Sequence, residues 1–190
     1  MNSKNYIPIV CLVALFCLSM AACKKQNNNT PQTELEKLPP ITQTGANTFG
    51  CLVNGVAYLP NGRKPQNGGP NIEIYVDPTF QGGRLGITGH KYNEPNQFIG
   101  VGLFRCTSTG YYSLDSIQQS IQFSKFVPGS QFIDFSTTDI GIYKKGFINV
   151  TRYDLTNGIF SGIFEATVFK QDSTLGDTIK ITNGRFDVKL

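Results

Sequence analysis

Few side chains in this sequence carry chemistry, and their spacing decides what each can do. Of the five cysteines, Cys11 and Cys17 lie in an apolar leader, Cys23 follows it directly, and Cys51 and Cys106 stand alone further on. Cys51 and Cys106 form a candidate disulfide in an oxidising compartment, the alternative being two buried thiols that act as small apolar groups. C-x2-C spacing does not occur, and the sole histidine, His90, cannot complete a histidine-rich zinc site, so no metal is implied. With no nucleophile motif beside it, His90 reads as a turn or surface residue. Gly100-Val-Gly102 begins like a dinucleotide loop, but Arg105 occupies the third glycine position. Those glycines therefore read as close sheet packing, and no cofactor is expected. Asp134, Asp139, Asp154 and Glu165 are the candidates for a glycosidase pair, yet carboxylates at strand ends and turns are ordinarily solvated caps. Tyr111-Tyr112, with Tyr75, Tyr92 and Tyr143, offer an aromatic platform for a sugar, set against the commoner structural role of strand tyrosines. No catalytic constellation emerges, and no enzyme is implied.

The N-terminus carries an address instead. After Lys4, residues 6–20 are uncharged and mostly apolar, and Ala21, Ala22 and Cys23 follow, which is the plan of a secretory signal over residues 1–22. This stretch is shorter than the ~20 residues a bilayer-spanning helix needs, and Pro8 weakens its start. Leu18-Ser-Met-Ala-Ala-Cys23 resembles a lipobox, with Met20 where leucine is commoner. The resemblance implies cleavage before Cys23 and lipid attachment through its sulfur, and two acyl chains make such an anchor durable. Ordinary cleavage after Ala22, leaving Cys23 bare, is the competing reading. Lys24 after the cysteine resembles lipoproteins passed on to an outer membrane. Which face of that membrane is occupied stays open, because Lys24-Lys-Gln-Asn-Asn-Asn-Thr30 is basic rather than acidic.

The elements that would position any site begin after a polar stretch. Residues 23–46 contain Pro31, Pro39 and Pro40 and few apolar groups, and read as a lipidated N-terminus with a flexible tether. From residue 47 to 190 apolar and polar residues alternate between frequent turn signals, supported by 20 Gly, 10 Pro, 14 Phe and 8 Tyr in the chain. The pattern predicts an all-β domain of about eight to ten antiparallel strands, either a two-sheet sandwich or a partly closed barrel. Asn54-Gly55 marks a tight hairpin, residues 72–76 and 85–87 a strand pair, residues 98–104 a central strand, and residues 147–153 and 159–170 a long hairpin. Asn183-Gly184 suggests a bulge before a last strand whose Arg185, Asp187 and Lys189 form a wet face. Residues 107–138 give no clear pattern, and a short helix over 114–120 is one reading.

Two blocks carry a family resemblance: Thr48-Phe-Gly-Cys-Leu-Val-Asn-Gly55 through Tyr58-Leu-Pro60, and Gly158-Ile-Phe-Ser-Gly-Ile-Phe-Glu165 with Ile181-Thr-Asn-Gly-Arg-Phe-Asp187. They resemble uncharacterised Bacteroidota envelope lipoproteins, with Tyr58 in place of a tryptophan and the middle of the domain unmatched. The resemblance implies location and fold, and no activity. Asp115-Ser-Ile, Asp172-Ser-Thr and Asp177-Thr-Ile also resemble the short O-glycan acceptor of such envelope proteins, which makes Ser116, Ser173 and Thr178 weak acceptor candidates.

A net charge of +4 with 16% charged residues provides no basic stripe, so nucleic acid is excluded as a partner. The membrane, through lipid, is the expected contact, with a protein or glycan as a further one. A non-catalytic binding or accessory module is the leading expectation, ahead of an assembly component acting through exposed β edges and, third, an envelope hydrolase.

Overall fold

The computed structural model describes residues 32–93, 96–115, 118–129, 132–137, 145–170 and 177–190. Its strands are β1 (Thr48–Val53), β2 (Val56–Tyr58), β3 (Ile72–Asp77), β4 (Arg84–Lys91), β5 (Gln97–Phe104), β6 (Gly110–Ser113), β7 (Gln119–Phe126), β8 (Phe132–Ser136), β9 (Lys145–Asp154), β10 (Ile159–Lys170) and β11 (Thr178–Lys189). These eleven strands form one antiparallel sheet in the order β2-β1-β11-β10-β8-β7-β5-β4-β3, with β9 on β10 and β6 on β9. The all-β, antiparallel expectation holds.

The sheet divides at β10. On the edge of β10 opposite β11, residues 159–167 pair with β9, whereas residues 169 and 170 pair with β8. One wing is therefore β2-β1-β11-β10-β9-β6 and the other β8-β7-β5-β4-β3. Phe49, Phe160, Phe164 and Phe186 from the first wing share a buried core with Leu85, Ile87, Ile99 and Ile121 from the second. Removing each such side chain from water contributes roughly 1.5 to 3 kcal/mol before conformational entropy is counted. The Tyr58 hydroxyl crosses between the wings and donates to the Gly89 carbonyl at 2.8 Å. An isolated bridge joins Asn61, three residues past β2, to Lys91 at the end of β4. Among the described residues the sheet is not otherwise closed into a barrel.

Local chemistry explains the turns. Asn54 and Gly55 take φ of 49° and 84°, so the first hairpin closes as expected of that dipeptide. Asn183, at φ 52°, lies at an interruption in the β10–β11 register, and β11 continues through it as one strand. Of the short helix read over residues 114–120, Leu114, Asp115 and Gln118 lie in turns and Gln119 begins β7, while residues 116 and 117 lie outside the described residues. Gln119, Ile121 and Phe123 are buried, a two-residue period that suits a strand.

Residues 32–46 depart from the expectation of a tether and lie as a strap on the first wing. Thr33 and Glu36 form a reciprocal capping box, with Thr33 N donating to Glu36 Oε2 at 2.7 Å and Glu36 N to Thr33 Oγ1 at 3.3 Å. The Glu34 carboxylate accepts from the Ala57 N–H at 2.8 Å, on β2 at the end of the sheet. Leu38 is buried, Pro39 Cδ stands 2.9 Å from where a side chain on Gly50 would begin, and Arg185 donates to the Pro39 carbonyl at 3.1 Å.

The strap ends in a clasp on Asp187, which is 1% exposed and so not on a wet face as expected. Its carboxylate accepts from Thr42 Oγ1 at 2.6 Å, Thr44 N at 3.0 Å, Gly45 N at 2.8 Å, Ala46 N at 3.2 Å and Ser161 Oγ at 2.7 Å. Three successive backbone N–H groups thus form an anion-holding nest for a buried charge. Thr42, Thr44 and Gly45 supply donors that a solvated tether does not need.

Candidate functional site

The outer face of the second wing is built by alternation. Leu85 and Ile87 of β4, and Ile99, Val101 and Leu103 of β5, point into the core. Their neighbours Gly86, Thr88, Gly100 and Gly102 therefore point outward and are half-buried. Register places Gly86 beside Gly102 and Thr88 beside Gly100. Ser120 and Gln122 of β7 extend the same rows. The result is a floor of small and uncharged polar groups across three strands.

Neither crowding nor backbone geometry demands glycine at two of these places. A Cβ at Gly86 would meet its nearest neighbour, Tyr75 Cβ, at 3.7 Å, and one at Gly100 would meet Thr88 Oγ1 at 3.8 Å. Neither residue has a positive φ. Glycine inside a strand weakens it, and where packing does not require it, it keeps the surface low for something that approaches closely. The expectation that Gly100 marks close sheet packing is corrected accordingly, whereas at Gly102 a Cβ would stand 2.8 Å from Ser120 Oγ, so close packing against the neighbouring strand holds there.

Aromatic walls bound this floor at both ends of the strands. At one end the Arg84 guanidinium lies over Tyr75, Phe104 and Phe80, at 4.9, 5.0 and 5.9 Å from the ring centroids. At the other, Tyr92 stacks on His90 at 5.1 Å, followed by His90–Phe98 at 5.8 Å, Phe98–Phe132 at 6.0 Å and Phe132–Phe126 at 5.5 Å. Four of the five exposed large aromatic side chains among the described residues, Tyr75, Phe80, Phe126 and Phe132, belong to these walls. Arg84 and His90 are six residues apart on one strand, so the walls stand roughly 20 Å from each other. At the β3 side a groove of ≈ 830 Å³ continues the floor, lined by Tyr75, Arg84, Gly86 and Thr88 and by Lys189 and Leu190.

His90 lies within this second wall rather than on a turn. Its Nε2 stands 3.5 Å from Glu73 Oε2. Burial lowers its pKa, and the Glu73 carboxylate opposes that shift only in part. Near neutral pH it is an uncharged ring in an aromatic stack.

The other expected residues are dispersed. Cys51 and Cys106 are both buried free thiols, so the candidate disulfide does not form and the small-apolar reading holds. Asp134 accepts from Ser124, Asp154 is held by Arg152 and Asn157, and Glu165 accepts from the Asn183 N–H. Each serves its own neighbours, while Asp139 lies outside the described residues. The tyrosines do not assemble into one platform. Tyr75 and Tyr92 stand at opposite walls, whereas Tyr111 stacks on Phe147 at 5.3 Å in the first wing. Thr178 is exposed at the start of β11. Cys23, Ser116, Ser173 and Tyr143 lie outside the described residues.

Two features were missed in the sequence: the floor and the Asp187 clasp. The floor had a signal, since Ile99-Gly-Val-Gly-Leu103 alternates apolar residues with glycine, which assigns the glycines to the outward face. The clasp had none, because its strap donors lie 141 to 145 residues from the acceptor. No known protein family, curated protein or solved structure matches this chain.

Proposed function

We propose that the chain is an envelope lipoprotein, held at the outer membrane by lipid on Cys23, whose β domain is a non-catalytic module that binds an extended glycan. The observation that carries the binding reading is the low floor of Gly86, Thr88, Gly100 and Gly102 between two aromatic walls. Sugar rings present flat C–H faces that stack on aromatic side chains, and their hydroxyls suit the uncharged Thr88, Ser120 and Gln122. Exposed aromatic groups gathered on one face are otherwise a liability in water, which supports a bound partner there. The anchor is supported by the leader and by the lipobox resemblance at Leu18-Ser-Met-Ala-Ala-Cys23.

Two measurements test this reading. Cys23→Ala moves the protein from the membrane pellet to the soluble envelope fraction, and an unchanged distribution removes the anchor. Binding of a panel of envelope and plant oligosaccharides is lost in Gly100→Leu and Tyr75→Ala without loss of folding. Retention of full binding by both variants removes the trough.

A further inference from the structure

The first wall of the trough encloses a second feature. Among the described residues, Gln81 and Arg105, at φ 49° and 56°, are the only residues other than glycine and asparagine with positive φ. Such a backbone is unfavourable for any residue with a long side chain, and where the surroundings hold it, it aims the side chain in a direction ordinary backbone does not permit. Both residues line one cavity of ≈ 630 Å³, together with Phe104 and Gln118. Gln81 lies in the 3-10 turn at Phe80–Gly82, and Arg105 follows the last residue of β5. The Cys106 N–H donates to the Gly83 carbonyl at 3.3 Å and so ties the two strained segments together.

Arg105 lines this cavity, and a second guanidinium, that of Arg84, lies over the ring of Phe104, another lining residue. With the Gln118 amide oxygen turned toward it, Arg105 donates through Nε and Nη1 at 3.3 and 3.2 Å. Phe104, which lines the cavity, also carries Arg84 on its ring, and Tyr75 and Phe80 hold that guanidinium from other sides. A guanidinium held over ring faces still has N–H groups to offer a planar or tetrahedral oxyanion. Among the described residues, no carboxylate lies within 4.0 Å of either group. Asp77, opposite Arg84 in the β3–β4 register, turns Oδ1 toward Thr79 N at 2.9 Å and Phe80 N at 3.0 Å, and Oδ2 toward the Tyr75 hydroxyl at 3.5 Å.

We propose that this cavity is an anion pocket in which Arg105 and Arg84 take the oxyanion of an acidic glycan, a uronate carboxylate or a sulfate ester. The inference rests on the trough reading, since the acidic group belongs to a chain lying on that floor. Bidentate contact by a braced arginine gives both strength and orientation, and the uncharged floor leaves the neutral part of the chain to stacking.

Calorimetry on the full-length protein in detergent tests the pocket with four probes: oligogalacturonate, its methyl ester, a chondroitin sulfate oligosaccharide and its desulfated form. One acidic probe binds, its neutral partner binds about tenfold more weakly or worse, and added salt weakens only the acidic one. Whether the carboxylate or the sulfate probe responds distinguishes the two sources of the oxyanion. Arg105→Gln and Arg84→Gln each weaken the acidic probe about tenfold while leaving the melting temperature in place, and Arg105→Lys recovers only part of the affinity. Equal binding of the acidic and neutral probes, undiminished binding by both glutamine variants, or no binding of any probe at millimolar concentration overturns the proposal. Gly100→Leu separates the two readings. If it keeps acidic binding while Arg105→Gln loses it, the pocket stands and the trough fails; the opposite pattern leaves the trough and removes the pocket.

Discussion

The Thr42 hydroxyl donates to the Asp187 carboxylate at 2.6 Å, joining positions 145 residues apart in the chain. With Ser161 on the same carboxylate, this contact fastens the strap to β10 and β11. Asp187→Asn keeps the shape but turns an amide N–H toward donors that need an acceptor. The variant is expected to lose about 3 kcal/mol of stability in urea unfolding, the scale of hydrogen bonds to a charged acceptor. Its strap is also expected to open before the body of the domain unfolds. Trypsin should then cut after Lys37 in the variant and spare that bond in the wild type, and equal protection of the two would show that the clasp does not hold the strap.

The same carboxylate gives stability a pH dependence of known sign. Burial alone would raise the Asp187 pKa, but the donors from Thr42, Ser161, Gly45 and Thr44 outweigh it and hold the group well below the ordinary carboxylate range. A depressed pKa stabilises the fold fully above the unfolded value of about 3.9 and progressively less as pH falls below it. The stability difference between wild type and Asp187→Asn should therefore be constant from about pH 5 to pH 8 and shrink in more acid solution. Unfolding curves taken at intervals across that range check it, and a difference that grew with acid would contradict the assignment.

His90 contributes in a different window. Its pKa is lowered by burial beside Tyr92 and Phe98, so the folded chain binds a proton less readily than the unfolded one. Stability from this residue is intact above about pH 6.5 and declines as pH falls through that value. The imidazole resonances should titrate with a midpoint below 6.5, the value of a free histidine. A midpoint above it would mean that the Glu73 carboxylate dominates.

Strand identity was legible in this sequence because each strand carries its own two-residue period, as Ile72, Ile74 and Val76 do in β3. The hairpin at Asn54-Gly55 was legible because the dipeptide and its φ angles are one local fact. What depends on contacts between distant segments was not. Asp187 alternates with Phe186 and Val188 and so looked wet, until a threonine-rich segment from the other end of the chain covers it. β7 was obscured because Ser120, Gln122 and Ser124 dilute its hydrophobic signal on the outward face. The cavity beside Arg105 was beyond reach, since it arises where a turn before β4 meets the end of β5.

Glycines on the two faces of the sheet should respond oppositely to alanine. Gly100 has room for a methyl group and ordinary backbone, so Gly100→Ala should raise stability by about 0.5 to 1 kcal/mol through reduced freedom of the unfolded chain. A Cβ at Gly162 would stand 2.6 Å from both the Asn149 carbonyl oxygen and Phe186 Cζ. Gly162→Ala should therefore lose about 1 to 3 kcal/mol by overpacking. If Gly100→Ala proved as damaging in thermal melts as Gly162→Ala, the floor would be packing against something within the chain, and the reason for placing a ligand there would disappear.

The thiols provide a test that reads fold and anchor together. Cys51 and Cys106 are free and buried, and burial pushes both thiol pKa values up, which further suppresses the reactive thiolate. Native protein should take up iodoacetamide at neither position, and protein unfolded in guanidinium without reductant should take it up at both. Cys23 reacts only if its sulfur carries no lipid, so a native adduct mapped to Cys23 by mass spectrometry would show an unacylated N-terminus. Dithiothreitol should leave the melting temperature unchanged, because no bond between Cys51 and Cys106 is there to break. A lower melting temperature in reductant, or a denatured chain that alkylates at these two positions only after reduction, would reveal a disulfide in place of the two free thiols.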